Sequence, residues 1–155
     1  MESLVRGILN YQFNDKVGDK LIQKYKNGIH VEFSKATKRA RRIYIDNKLV
    51  GTIDSGTGFV ILTYYGAEII KSMLDFPKYR VVISNEAIPF VEIGKSVFNK
   101  FVLECDENIL AKDVVFVVDK EDNLIATGIS LLSGIEMKEF NCGVAVKVKH
   151  ARKNS

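Results

Sequence analysis

The spacing of apolar residues near the start of the chain predicts two consecutive helices. Apolar side chains recur every three or four positions over 3–11 and again over 15–26, the period of an amphipathic helix. Asn14 or Asp15 is the expected N-cap of the second helix, and Gly28 follows its last turn. The chain is therefore predicted to open with a helical pair.

Apolar and polar positions then alternate, which predicts a β-meander. Four strands are expected, over 29–33, 43–45, 49–53 and 59–62. Thr63 is the expected N-cap of a helix that continues to Met73, and the sequence Phe76-Pro77-Lys78 stops it. We expect a domain boundary at this point because the balance of charge also changes sign here.

The second half reads mostly as strand, over 79–83, 97–103, 114–118, 124–129 and 144–148. Asn85 is predicted to cap a short helix over 86–91 that Gly94 closes. Ser133 and Glu136 match the capping box that begins a second short helix, which ends at Phe140. Five strands with two short helices suggest a small mixed barrel rather than a layered sheet.

The distribution of charge is more informative than its total. The 155 residues carry 23 basic and 19 acidic side chains, a net charge of +4. Residues 1–78 hold 13 basic against 8 acidic side chains, residues 79–146 hold 6 against 11, and the last nine hold 4 against none. Such segregation is typical of a surface that binds a polyanion. No apolar run approaches the roughly 18 residues that span a bilayer, so we expect a cytoplasmic protein without a membrane partner.

Two basic clusters account for the positive charge. The first cluster is Lys35, Lys38, Arg39, Arg41 and Arg42, and the second is Lys147, Lys149, His150, Arg152 and Lys153. Both are candidates for contact with RNA phosphates, and the alternative for the first is a solvated loop or strand edge. Several aromatic residues are expected mainly in the core, with one or two free to stack on an unpaired base: Tyr11, Phe13, Tyr64, Tyr65 and Phe98.

The residues that could carry chemistry do not form a recognisable catalytic or metal-binding pattern. Cys105 and Cys142 are 37 positions apart, and the only histidines are His30 and His150. A structural zinc site needs about four ligands at characteristic spacing, so we expect no metal, no cofactor and two free, at least partly buried thiols. No pairing of a nucleophile with a base can be inferred, and we predict no catalytic residue.

Three sequence blocks of the second half resemble the PUA domain, the small pseudo-barrel of pseudouridine synthases and archaeosine transglycosylases. The blocks are Asn85 to Phe98, Gly128 to Met137 and Gly143 to Val148. The first half is similar to the segment that precedes PUA in archaeal tRNA-guanine (archaeosine) transglycosylases, through five short stretches: Tyr11 to Phe13, Arg41 to Ile43, Gly51-Thr52, Gly58-Phe59 and Tyr65 to Ala67.

The resemblance implies an α+β fold in which a small mixed α/β N-terminal module, residues 1–77, precedes a PUA pseudo-β-barrel, residues 78–150, and a basic tail, residues 151–155. It also implies an RNA surface built from the first PUA helix, the glycine loop after it, the next strand and the last strand. Carried over to this sequence, that surface comprises Gly94, Lys95, Ser96, Lys100, Lys147, Lys149 and Arg152, next to His150.

The expected function is non-catalytic binding of structured RNA, specifically tRNA, in support of archaeosine-type base modification. The transglycosylases of this family exchange the base in a catalytic barrel, which needs about 200 residues or more, so we expect a separate transglycosylase catalytic chain as a partner. One alternative is a ribosome-associated translation factor, which co-purification with ribosomal subunits would reveal. The other is a small enzyme acting on a nucleotide, which would need a deep pocket with a perturbed acid or base.

Overall fold

The computed structural model describes residues 2–154 and divides the chain into two compact units, residues 1–74 and 75–155. Each unit combines helices with its own β-sheet. Within residues 2–154, every helix is too short or too polar to cross a membrane.

The first unit opens with the predicted pair of helices, α1 (Glu2–Phe13) and α2 (Val17–Lys24). The prediction that Asn14 or Asp15 caps α2 is wrong. Both residues and Lys16 have positive φ angles, so three left-handed residues turn the chain, and Lys16 occupies the N-cap without a side-chain hydrogen bond. The helix therefore begins later than its apolar spacing suggests.

An asparagine on α1 replaces the missing cap of α2. The Gly18 N–H, in the first turn of α2, donates to the Oδ1 atom of Asn10 at 2.7 Å, and the Asn10 amide donates to Asp19 at 3.1 Å. The amide groups of a first helical turn lack partners within the helix, so Asn10 satisfies one of them from the preceding helix.

The predicted meander is confirmed as a four-stranded antiparallel sheet in sequence order. Its strands are β1 (Ile29–Phe33), β2 (Ala40–Ile45), β3 (Lys48–Ile53) and β4 (Val60–Leu62). The side chain of Thr63 accepts a hydrogen bond from the Gly66 N–H at 3.1 Å and caps α3 (Tyr64–Lys71), as predicted. The helix ends two residues before the expected Met73.

A buried glutamine joins α1 to the outer strand of this sheet. The Gln12 side chain donates to the Val60 carbonyl at 2.9 Å and accepts from the Val60 N–H at 2.7 Å. Val60 is fully buried, and unpaired backbone groups in such a place are costly. Gln12 therefore satisfies both backbone groups of one residue and closes this part of the sheet edge.

The second unit contains a six-stranded sheet in the order β6-β10-β9-β8-β5-β7. Its strands are β5 (Arg80–Ile83), β6 (Val97–Phe98), β7 (Val102–Cys105), β8 (Val114–Val118), β9 (Leu124–Ser130) and β10 (Val144–Ala151). The β5–β8 pair is parallel and the other pairs are antiparallel. Val81, Val115 and Ile125 are fully buried in the core that the sheet surrounds.

The strand predicted over 97–103 is wrong as a single element, and its interruption closes the sheet. A three-residue 3₁₀ turn, Asn99–Phe101, separates β6 from β7. β6 pairs with β10 at one edge of the sheet, whereas β7 pairs with β5 at the other. Because three residues span only about 10 Å, both edges must lie near each other, which produces a pseudo-barrel.

The start of one short helix of this unit was predicted correctly, and the start of the other was not. The capping box of Ser133 and Glu136 is confirmed at the start of α5 (Gly134–Glu139). The helix α4 (Ile88–Val91) begins later than predicted, and its N-cap is Ala87 rather than Asn85. The last strand also continues three residues beyond the expected Val148, which places His150 within the sheet.

Candidate nucleic-acid interface

The edge formed by β6 and β10 brings the predicted site residues of the second unit together. Val97 pairs with Val146 in the antiparallel ladder, so Lys95 and Ser96 lie beside the part of β10 that follows Val146. Lys147 and Lys149 are exposed there and alternate with a half-buried valine. Two cations of the last strand therefore lie at this edge of the sheet, close to Lys95.

An aromatic groove of about 380 Å³ opens next to this edge. Its lining comprises Ala87, Phe90, Val91, Lys95, Ser96, Phe98, Lys100 and Phe101. The Phe90 side chain is 61% exposed and that of Phe98 is 52% exposed. The ammonium group of Lys100 lies 5.1 Å from the centre of the Phe101 ring. The aromatic groove thus combines apolar ring faces with two lysines at its rim.

The structure shows which aromatic side chains lie in the core and which are exposed. Phe13 is buried as predicted, whereas Phe98 and Tyr11 are exposed. Phe90 was not predicted as a site residue at all. Ala87, the N-cap of α4, and Val91 face the core one turn apart, which leaves Phe90 outside. Only the folded arrangement places the Phe90 ring in the same groove as Phe98.

Gly94 closes the loop after α4, and its backbone is approached by the end of the chain. The Gly94 φ angle is +105°, and a Cβ atom at this position would lie 2.3 Å from the Nδ2 atom of Asn154. The Asn154 side chain donates to the Ile93 carbonyl at 3.3 Å and accepts from the Ala151 N–H at 2.8 Å. The positive φ angle favours glycine here, and a Cβ atom would displace the side-chain amide of Asn154.

A carboxylate holds the last two basic side chains against the same loop. Arg152 Nη2 and Lys153 Nζ lie 2.5 and 2.9 Å from the two carboxylate oxygens of Glu92, which is largely buried. Hydrogen bonds from Lys153 and Arg152 lower the pKa of Glu92 below its ordinary value. We call the set Glu92, Arg152, Lys153 and Asn154 the C-terminal clasp. Arg152, a predicted RNA-binding residue, is thus already paired within the chain.

His150 lies on β10 between the exposed lysines and the clasp. The residue is half-buried, and its burial, followed by the charge of Lys149, lowers the pKa of the imidazole below its ordinary value. Both effects favour the neutral ring. An anion bound beside His150 would raise the pKa of the imidazole and favour the protonated ring.

The first basic cluster combines exposed cations with one that is paired within the sheet. Lys35, Lys38 and Arg39 are exposed in the turn between β1 and β2. Arg42 is half-buried and pairs with Glu32 at 2.6 Å. The hydrogen bond from Arg42 lowers the pKa of the Glu32 carboxyl. One of the five cations is therefore neutralised locally.

Within residues 2–154, no three histidine, cysteine or acidic side chains form a group that could hold a metal ion. Cys105 is buried, and its thiol contacts the Gly134 carbonyl at 3.3 Å. Burial raises the pKa of this thiol. Cys142 is exposed, contrary to the expectation of two at least partly buried thiols.

Comparison with known families separates the chain at the point where its units divide. The model of the PUA domain matches residues 79–152, and the model of the patch-forming domain C2 of tRNA-guanine transglycosylase matches residues 3–77. Residues 79–152 belong to the PUA-domain family. The six-stranded pseudo-barrel is the PUA domain, and the helical pair with its meander is the C2 domain.

Individual relatives agree with this assignment. The chain is 42% identical over 146 residues to the tRNA-guanine(15) transglycosylase of Methanosphaera stadtmanae, a match that covers 94% of the chain but 22% of that enzyme. The matched part is the C-terminal region of the enzyme, outside its catalytic barrel.

Solved structures show the same architecture. A hypothetical protein from Pyrococcus horikoshii is 30% identical, with a TM-score of 0.75, over 100% of this chain and 93% of that protein. A PUA domain protein from Thermoplasma acidophilum shares the fold at 19% identity and a TM-score of 0.60, over 88% of this chain and 87% of that protein.

Proposed function

We propose that the PUA domain binds structured RNA, specifically tRNA, through the edge of β6 and β10 together with the aromatic groove. We call this surface the PUA face: Gly94, Lys95, Ser96, Phe98, Lys100, Lys147, Lys149 and His150, with Phe90 and, when released from Glu92, Arg152 and Lys153. The observation that carries the proposal is the aromatic groove, where two exposed rings lie beside two lysines. The similarity to tRNA-guanine(15) transglycosylases supports tRNA as the RNA.

The chemistry of the PUA face suits a nucleic acid that has an unpaired segment. Lysine side chains bind phosphates without reading sequence, and their affinity falls as salt rises. Exposed phenylalanine rings offer stacking surfaces for unpaired bases, each such contact being worth about 1–3 kcal/mol. Phosphate contacts would therefore supply affinity, and stacking would select RNA with bases that are free to leave the helix.

We further propose that this binding is non-catalytic and assists base modification in the cytoplasm by a transglycosylase catalytic chain. The chain spans about a fifth of the length of the transglycosylases that it matches, and the matched region lies outside their catalytic barrel. The PUA face offers cations and aromatic rings rather than a paired acid and base. This composition supports a role in holding RNA.

Binding of a fluorescent tRNA transcript, measured across a series of salt concentrations, tests the proposal. We expect Lys147→Ala/Lys149→Ala to weaken binding at low salt and to reduce the slope of log affinity against log salt by about 1.4–1.8, the value for two phosphate contacts. The control Lys112→Ala/Lys120→Ala removes the same charge from exposed positions of the PUA domain outside the PUA face.

Two results would contradict the proposal. One is tRNA binding no tighter than the binding of a polyphosphate of equal charge. The other is a double variant of Lys147 and Lys149 that behaves like the control at every salt concentration. Phe98→Ser removes one of the two exposed rings of the aromatic groove. If this variant binds tRNA as tightly as the wild type, stacking in the aromatic groove does not contribute and only that part of the proposal fails.

A further inference from the structure

Two turns of the C2 domain share one hydrogen-bond pattern. In the turn over 34–39, the Ser34 N–H donates to the Arg39 carbonyl at 2.8 Å, and the Lys38 N–H donates to the Ser34 carbonyl at 2.9 Å. The turn over 54–59 repeats both bonds at 2.8 Å between equivalent positions. Lys38 and its counterpart Gly58 both have positive φ angles. The turns therefore have matching backbones but different side chains.

A groove of about 860 Å³ lies between these two turns and helix α1, and we call it the twin-turn groove. Its apolar lining comprises Leu4, Ile8, Phe33, Ile53 and Ile61. Phe33 is 45% exposed and Leu4 is 39% exposed, while the three isoleucines are partly covered. The C2 domain thus leaves an apolar surface open to solvent, a feature that marks many interaction sites.

The charge around the twin-turn groove is net positive, with three basic side chains against one acidic side chain. Lys38, Arg39 and Arg41 line it and are exposed, and none of the three has an ion-pair partner among residues 2–154. The acidic residue of the lining, Asp54, is bound within its own turn, where its carboxylate accepts from the N–H and hydroxyl groups of Thr57, both at 2.9 Å. An occupant that complements this surface would be apolar where it meets the floor and acidic at the rim.

We propose that the twin-turn groove docks a polypeptide segment that carries apolar side chains beside aspartate or glutamate. RNA phosphates would use the three cations but would leave the four aliphatic side chains of the floor uncovered, whereas an acidic, apolar segment complements both features. Resting on the proposed function, we assign this segment to the transglycosylase catalytic chain. The match to the M. stadtmanae enzyme covers 22% of its length, so most of such a polypeptide lies outside the C2 and PUA domains.

Peptide titration of the ¹⁵N-labelled protein, followed by backbone amide spectra, tests this proposal. The probe is the synthetic peptide Asp-Leu-Glu-Phe-Leu-Asp-Glu-Leu. One matched peptide has lysine at every acidic position, a second has serine at every apolar position, and a third probe is a single-stranded RNA of eight nucleotides. We expect the first peptide to shift amides of both turns and of Phe33, and we expect the other three probes to leave these amides unchanged.

Two variants of the groove and one control variant locate the binding. Arg39→Glu/Arg41→Glu should weaken the first peptide at least about tenfold, because two attractive pairs become repulsive. Lys24→Glu/Lys26→Glu makes the same change of charge at exposed positions of the C2 domain that belong to neither turn and do not line the groove, and should leave affinity within about twofold. Phe33→Ser should reduce binding without altering the charge.

The proposal is overturned if the first peptide does not bind, if it binds equally well after the Arg39 and Arg41 reversal, or if the RNA occupies the twin-turn groove instead. Its failure is separable from failure of the proposed function, because tRNA binding is measured through Lys147 and Lys149 in the other domain. Peptide binding without tRNA binding would sustain the groove as a docking site and remove the assignment of its partner.

Discussion

We predict that the C-terminal clasp controls how many cations the PUA face can offer to RNA, and Glu92→Gln tests this prediction. Arg152 and Lys153 both bind the Glu92 carboxylate, at 2.5 and 2.9 Å. Glutamine keeps the size of the side chain but removes the charge that holds the two cations. We therefore expect the substitution to free up to two cations for phosphate contacts and to strengthen tRNA binding at low salt.

The size of the effect follows from counterion release. Each phosphate contact changes the slope of log affinity against log salt by about 0.7 for single strands and about 0.9 for duplexes, so two contacts steepen it by about 1.4–1.8. Between about 50 and 200 mM salt, a fourfold change, the variant should lose roughly 7- to 12-fold more affinity than the wild type. Fluorescence anisotropy with labelled tRNA over a potassium chloride series measures this difference.

A matched control distinguishes release of the clasp from a change in net charge. Glu139→Gln removes one negative charge from an exposed position of α5, and its salt slope should equal that of the wild type. If Glu92→Gln shows the same slope as this control, Arg152 and Lys153 do not reach phosphates and the reasoning is refuted.

The clasp also predicts a dependence of stability on pH. Because the pKa of Glu92 is lowered in the folded protein, its contribution is present above the ordinary carboxyl pKa and is lost as pH falls through the folded value. In urea unfolding, Glu92→Gln should therefore be less stable than the wild type at pH 7, and the difference should disappear as pH falls through the lowered pKa of Glu92. A difference that persists at low pH would show that packing rather than charge is responsible.

Three further predictions concern individual side chains. A phosphate beside His150 would raise its lowered pKa, so tRNA affinity should increase as pH falls from about 7.5 to 5.5, and His150→Gln should abolish that increase. Ellman's reagent should label Cys142 rapidly in the native protein and label Cys105 only after unfolding, because Cys105 is buried with a raised pKa; rapid labelling of both would contradict this placement. Gln12→Ala should lower the free energy of unfolding by about 2–5 kcal/mol by leaving two buried backbone groups of β4 unpaired, whereas the exposed Gln23→Ala should have an effect within about 0.5 kcal/mol; equal effects would refute the bridging role.

Features that depend on neighbouring residues were predictable from the sequence. The cap at Thr63 and the capping box at Ser133 are short-range patterns, and both occur in the structure. The meander follows from alternation of apolar residues with turns between them. The basic clusters were likewise visible as local concentrations of charge.

Features that depend on distant contacts were not predictable. The break after Phe98 arises because β6 and β7 pair with opposite edges of the sheet, a choice that no local pattern encodes. The clasp joins Glu92 to a residue 60 positions away. Phe90 reads as one more apolar helical residue, and only the packing of Ala87 and Val91 shows that its ring remains outside.

The central claim is that RNA binds to the PUA face, and mapping the bound RNA on the protein tests it most directly. Backbone amide spectra of the labelled chain, recorded as tRNA is added, should show the largest changes at Lys95, Ser96, Phe98, Lys100 and Lys147. Saturating tRNA that leaves these amides unchanged, or that shifts only amides of the C2 domain, would contradict the account.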